Sequence, residues 1–156
     1  MRIFEPDIPN IIANHPSVVR SLEWKPKEHP ETNGFLLLDA QVADTENWVF
    51  LISNNGELCL FFEWSAPGVY QMHSLSLPTF RGKAMIKAAK VLVREMFVEH
   101  GADMLWGQTP LKNRAARMFN RLIGAKSCGY KNHFVAGDCE LFRNSKARWL
   151  AEFGSE

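Results

Sequence analysis

Residues 69–101 read VYQMHSLSLPTFRGKAMIKAAKVLVREMFVEHG, and no other segment constrains the fold as tightly. Val69 to Leu77 alternates in the manner of a strand. After Pro78 and Gly82 the period changes. Met85, Ile86, Ala89, Leu92, Val93, Met96 and Phe97 share one helical face, and Lys83, Lys87, Lys90 and Arg94 share the other. Gly101 is placed to close this helix in a left-handed conformation. Met104 to Gly107 reads as the next strand, so the middle of the chain is a strand–helix–strand crossover.

The flanking segments supply the rest of a sheet. Residues 2–5 read as a short strand, and Asp7 to Leu22 as a helix that Pro16 breaks or kinks. Residues 23–34 are loop by composition, and Phe35 to Leu38 is a short apolar strand signal. Trp48–Ser53 and Glu57–Trp64 flank Asn54-Asn55-Gly56, where Asn-Gly predicts a tight hairpin turn. Ala66-Pro67-Gly68 makes the next turn, completing an antiparallel meander. Asn113 to Ile123 reads as a second helix ended by Gly124. Tyr130–Val135 and Cys139–Phe142 form a closing hairpin, and the tail from Asn144 is a last helical turn or frays. The expectation is a mixed α/β (α+β) fold in one domain, residues 1–156, of ordinary size for a single core.

Composition removes several classes of function. Eighteen Lys plus Arg stand against 17 Asp plus Glu, so net charge does not point to nucleic acid as the main partner. The three cysteines, Cys59, Cys128 and Cys139, have neither the even count of a disulfide framework nor the paired spacing of a zinc site, and no metal is expected. The start, MRIFEPDIPN, lacks the apolar run of a signal peptide. No stretch nears the roughly 20 apolar residues of a membrane span. A soluble, cytoplasmic protein is expected.

The strand-to-helix turn has the make-up of a phosphate cradle. A helix start presents unsatisfied N–H groups and the positive end of the helix dipole, and a glycine lets the backbone approach a phosphate closely. Arg81 and Lys83 add charge; the bland alternative is a tight turn with exposed cations. Here the sequence resembles the GNAT acyltransferase superfamily. Thr79-Phe80-Arg81-Gly82-Lys83-Ala84 is similar to that family's Gln/Arg-x-x-Gly-x-Gly/Ala element, matching at Gly82 and Ala84 and departing at Thr79. Asn113-Arg114-Ala115-Ala116-Arg117-Met118-Phe119, closed by Gly124, resembles its Asn-x-x-Ala-x-x-aromatic element. The likeness runs over about residues 48–135. It implies a mostly antiparallel sheet whose fourth and fifth strands splay apart, acetyl-coenzyme A as cofactor, and an amine-bearing small molecule or protein as acceptor, with homodimerisation left open. It also implies coenzyme contacts from Arg81, Gly82, Lys83, Ala84 and Met85, from Asn113 and Phe119, and from the backbone of Leu75 and Leu77. A looser similarity, His-x-x-x-x-Pro-x-x-Arg-Gly from His73 to Gly82, is to small GNAT-like proteins of tailed phages.

Acyl transfer needs an uncharged amine and a base to take its proton. The fourth strand carries no acid, and His73 stands about where the family places its base. An imidazole pKa near 6.5 suits that role. Glu63 on the neighbouring strand is the alternative base. Asn120 stands where the family's tyrosine acid would be, with Tyr130 and His133 nearby in sequence. Trp64 and Trp106 are candidate site walls. Lys112, Arg114, Arg117 and Arg121 form a second basic row, read first as a solvated face and otherwise as a contact for phosphate, an acidic partner or nucleic acid. Two functions follow: an N-acyltransferase using acetyl-coenzyme A, or a GNAT-fold binding or structural module without turnover, such as a phage accessory protein.

Overall fold

In the computed structural model, which describes residues 1–156, the strand before the glycine turn lies at the centre of a seven-stranded sheet. In chain order the elements are β1 (Arg2–Ile3), α1 (Asp7–Ala13), α2 (Pro16–Ser21), α3 (Asp39–Ala43), β2 (Trp48–Ile52), β3 (Leu58–Ala66), β4 (Val69–Ser76), α4 (Gly82–Glu99), β5 (Met104–Pro110), α5 (Arg114–Leu122), β6 (Lys126–His133), β7 (Gly137–Ser145) and α6 (Lys146–Phe153). The spatial order is β1-β2-β3-β4-β5-β7-β6, and every neighbouring pair is antiparallel except β4–β5. That parallel pair is the one the α4 crossover joins, as its length requires. No helix is long and apolar enough to cross a membrane.

Each face of the sheet carries its own apolar layer, because side chains alternate along a strand. Leu58, Leu60 and Phe62 of β3 meet Leu92, Val93, Met96 and Phe97 of α4 on one face. Cys59 of β3 and Leu75 of β4 meet Ile12, Val18 and Val42 of α1–α3 on the other. The helical face read from the α4 sequence is the buried one, and Gly101, with φ +77, follows its end.

Several boundaries differ from the sequence reading. Phe35–Leu38 is not a strand: its backbone bonds to asparagine side chains of α1 in place of a strand partner. Leu36 N–H donates to Asn14 Oδ1 at 2.7 Å, Leu38 N–H donates to Asn10 Oδ1 at 2.8 Å, and Asn14 Nδ2 donates to Leu36 O at 2.7 Å. This segment leads into α3, whose five residues are too few to show a period. The chain breaks at Pro16 as expected, with the His15 ring accepting from Ser17 N–H at 3.2 Å. The β2–β3 turn is not a tight Asn-Gly pair. Ser53 and Leu58 close a four-residue loop in which only Gly56 has positive φ, +72. The tail does not fray: α6 inserts Trp149, 1% exposed, whose Nε1 donates to Ile123 O at 2.8 Å.

Helix α5 is held differently from α4. None of its residues is fully buried. Asn113 caps its start by accepting from Ala116 N–H at 3.1 Å. Farther along, Arg117 Nε and Arg121 Nη2 donate to the two oxygens of Glu140 on β7, at 2.9 and 2.6 Å, and Ser127 adds a hydroxyl at 2.7 Å. Glu140 is wholly buried. Burial alone would raise its pKa, but the hydrogen bonds from Ser127, Arg117 and Arg121 outweigh it and hold the carboxyl below its ordinary 4.5. Removing Glu140 leaves Ser127 and two part-exposed arginines without their acceptor, so Glu140→Ala should lower unfolding free energy by about 1–3 kcal/mol in urea titrations at neutral pH. A depressed carboxyl stabilises above its unfolded pKa and loses that contribution as pH falls through the folded value. The gap between parent and variant should therefore shrink below about pH 4.5.

Candidate active site

The central parallel pair is short. Val69, Tyr70 and Gln71 pair with Met104, Leu105 and Trp106, and the two strands then separate. β4 stays with β3 as far as Ser76, and β5 stays with β7 as far as Pro110, so the two ladders diverge. At the fork a Cβ on Gly107 would lie 3.5 Å from Met72 O. Beyond it lies a cavity of about 280 Å³, walled by His73 and Ser74 of β4, Thr109 of β5, and Asn113, Ala116 and Asn120 of α5.

Alternation decides which backbone groups face this gap. Leu77 N–H donates to Glu57 O at 2.9 Å, and Ser53 N–H donates to Leu58 O at 3.0 Å. In the observed registers, Leu77, Leu75 and His73 therefore turn their backbone toward β3, whereas Met72, Ser74 and Ser76 turn theirs toward β5. The expectation for Leu75 and Leu77 is thus displaced by one residue. Their side chains instead pack into the core under α1 and α2.

At the end of β4 the chain enters α4 without a side-chain cap. Gly82 has φ +70, a left-handed conformation that disfavours any side chain, and a Cβ there would meet nothing within 4 Å. No side chain satisfies the first helical N–H groups. Arg81 and Lys83 flank them, exposed, with Arg81 Nε fastened to Pro78 O at 3.0 Å. Thr79, the departure from the family element, donates its hydroxyl to Glu57 at 2.5 Å. A second cavity of about 340 Å³ runs from Arg81 and Met85 past Phe119 and Asn113. It shares Ser74, Leu75, Asn113 and Ala116 with the gap, so the helix start and the gap adjoin. Of the coenzyme residues expected from sequence, Leu75, Arg81, Met85, Asn113 and Phe119 line this path, Gly82 and Lys83 border only the groove on the α4 side, and Leu77 and Ala84 border none of these cavities.

His73 and Glu63 come together. His73 Nε2 lies 3.6 Å from Glu63 Oε2, beyond hydrogen-bond reach, and no other group bonds it although the atom is buried. The imidazole stacks on Phe61 with ring centroids 5.0 Å apart. Burial lowers its pKa below 6.5, and the Glu63 charge opposes that shift in part. A neutral ring with N–H at Nε2 facing the carboxylate leaves Nδ1 as the open proton acceptor. Across the gap, Asn120 Nδ2 donates to Thr109 Oγ1 at 2.9 Å.

Other candidates lie elsewhere. Tyr130 is exposed on edge strand β6, and His133 Nδ1 accepts from Val135 and Ala136 N–H groups in the hairpin turn. Trp64 and Trp106 do not border the gap; Trp106 donates to Ser65. The α5 basic row is largely engaged: Arg117 and Arg121 hold Glu140, and Lys112 pairs with Glu23. Glu95, Glu99 and His100 could together reach a cation at the far end of α4, but Glu95 already binds the Met1 ammonium. Thr109, Ser74 and Ser76 were missed from sequence. Continuing the period-two pattern of β5 from Leu105 through Gly107 would have placed Thr109 on the α5 side.

The largest cavity, about 680 Å³, lies between α4, α5 and α6 with an apolar floor including Met118, Phe119 and Phe153. Lys83, Lys87 and Arg94 rim it, and its one carboxylate, Glu156, is paired with Lys90 at 2.7 Å.

No family model matches the chain, and no curated protein does. Among solved structures, a GNAT-family acetyltransferase from Bacillus anthracis is similar with a TM-score of 0.65 at 14% identity, over 94% of this chain and 93% of that one. The ribosomal-protein-S5-alanine acetyltransferase from Vibrio fischeri gives 0.63 at 14%, over 92% and 90%. A chimera of the spermidine N-acetyltransferase SpeG from Vibrio cholerae and hSSAT gives 0.66 at 8%, over 93% and 92%. At these identities the likeness is one of architecture: the chain has the GNAT acetyltransferase fold, with its mostly antiparallel sheet and single parallel pair between the fourth and fifth strands.

Proposed function

We propose that the protein is an N-acyltransferase that moves an acetyl group from acetyl-coenzyme A to a primary amine by direct attack. The observation that carries this reading is the fork between β4 and β5, which adjoins an uncapped, glycine-kinked helix start at one end and a neutral, carboxylate-paired histidine at the other. The residues present fit the coenzyme: uncapped N–H groups, φ +70 at Gly82 and two cations suit a pyrophosphate, and the unpaired edge of β4 suits an amide-bearing arm. The coenzyme supplies an activated acetyl thioester. Ser74 and Ser76 offer backbone groups to its arm, while Asn113 and Phe119 wall the path. His73 takes the proton of the attacking neutral amine at Nδ1, and the Glu63 charge steadies the imidazolium that forms. The acetyltransferase neighbours support the reading at the level of fold.

The second reading is the same fold used for binding, as the phage resemblance implies. It is favoured by the lack of any phenol in the gap, since the chain's two tyrosines, Tyr70 and Tyr130, do not border it.

Calorimetry with acetyl-coenzyme A should show binding, and Gly82→Asp should weaken it about 10-fold by placing a like charge at the helix start. Absence of binding by the parent at millimolar coenzyme would remove the acyl-transfer reading. Thiol release over a panel of peptides, polyamines and amino-sugars should expose at least one acceptor. With it, His73→Ala should cost about 100- to 10,000-fold in kcat, leaving coenzyme affinity unchanged; a loss of less than twofold would clear His73 of the role. The acid limb of kcat/KM should fall below pH 6.5, because burial depresses the imidazole. Glu63→Gln should move that limb lower still, since removing the carboxylate charge removes what holds the pKa up.

A further inference from the structure

We propose that Thr109 is the hydrogen-bond donor to the coenzyme's sulfur, held in that role by Asn120. The inference rests on the acyl-transfer reading and deepens it. A hydroxyl has one hydrogen to give and two lone pairs to receive with. Thr109 Oγ1 already receives from Asn120 Nδ2 at 2.9 Å, so its hydrogen points elsewhere. Thr109 is 6% exposed, on the α5 side of β5, and with Asn120 it walls the gap that holds His73. Its cross-strand partner Glu140 does not claim that hydrogen: the Glu140 oxygens are engaged by Arg117, Arg121 and Ser127. A nearly buried hydroxyl proton with no acceptor is costly, which makes it a poised donor for an acceptor entering the gap.

The chemistry needs no stronger acid. The amine nitrogen bonds to the acetyl carbon, and the carbon–sulfur bond breaks with its electron pair on sulfur. The amine proton passes to His73 and then to solvent, while the sulfur takes a proton from water on release. A thiol is far more acidic than an alcohol, so its thiolate is a tolerable leaving group when one hydrogen bond meets its charge. Thr109 keeps its own proton throughout. Asn120 is a positioning residue: it occupies the hydroxyl's lone pair and so turns the hydrogen into the gap.

The test uses free coenzyme A and requires no acceptor. Bound to the parent, its thiol should titrate about one pH unit below the free thiol, read from thiolate ultraviolet absorbance. Thr109→Val, close in shape but without the hydroxyl, should abolish most of that depression while retaining coenzyme affinity, and Thr109→Ser should restore it. Should the valine variant prove unstable, Asn120→Asp should give the same loss, because its carboxylate accepts the Thr109 hydrogen. Where an acceptor is known, Thr109→Val should also lower kcat about 100-fold with KM for acetyl-coenzyme A unchanged. A bound thiol that titrates like free thiol in the parent, or equally in parent and Thr109→Val, overturns the role of Thr109 and leaves the acyl-transfer reading standing. Failure of the parent to bind coenzyme A overturns both.

Discussion

Two backbone ladders that cannot remain side by side shape this molecule. β4 is committed to β3 and β5 to β7 along nearly their whole lengths, and the two commitments are compatible for only three residue pairs. Twist accumulates across any sheet. Here it is released as an opening, and the unpaired inner edge of β4 becomes the lining of a cavity. Unsatisfied backbone groups at the centre of a sheet are costly unless something else bonds them. Under the proposed acyl transfer, the coenzyme's amide-bearing arm would answer that need in the place of a missing strand.

The walls of the opening are held by two kinds of force. Helix α4 is fixed by an apolar stripe against β3, which is strong but tolerant of small shifts. Helix α5, without a fully buried residue, is fixed by directional bonds: the Asn113 cap, the Asn120–Thr109 bond and the arginine pair on Glu140. A charge cluster built on a buried carboxylate adds less net stability than its contacts suggest, because desolvation offsets them. Its effect is positional. Shifting α5 by a fraction of a turn would break several of these bonds together, and α5 carries one side of the gap.

Electrostatics divide the molecule in the same way. The two basic rows look alike in sequence, yet Lys83, Lys87 and Arg94 of α4 face outward around the apolar groove, whereas Arg117 and Arg121 of α5 turn inward to Glu140. The first row remains available to an anionic ligand beside the helix start. The second is consumed by structure. At the base, burial and the Glu63 charge act on His73 in opposite directions, and burial prevails, leaving the ring uncharged at neutral pH.

The sequence alone determined whatever depends on neighbours along the chain. The period change at Gly82 placed β4, α4 and the turn between them, and the repeating apolar face placed the α4 core. Pro16 and Gly101 marked helix ends through local sterics. What the sequence could not settle depends on partners far away in the chain. Phe35–Leu38 has strand composition, but asparagines more than 20 residues earlier take its backbone bonds. The orientation of β4 follows from its register with β3, which turns the backbone of Ser74 and Ser76, not that of Leu75 and Leu77, away from β3. His73 and Glu63 could be named separately, but their 3.6 Å approach comes from the same register. Thr109 and Asn120 stand eleven residues apart and meet only because α5 folds back over β5. Local pattern carries propensity and period, whereas a site is made where unrelated segments cross, and tertiary packing alone decides that crossing.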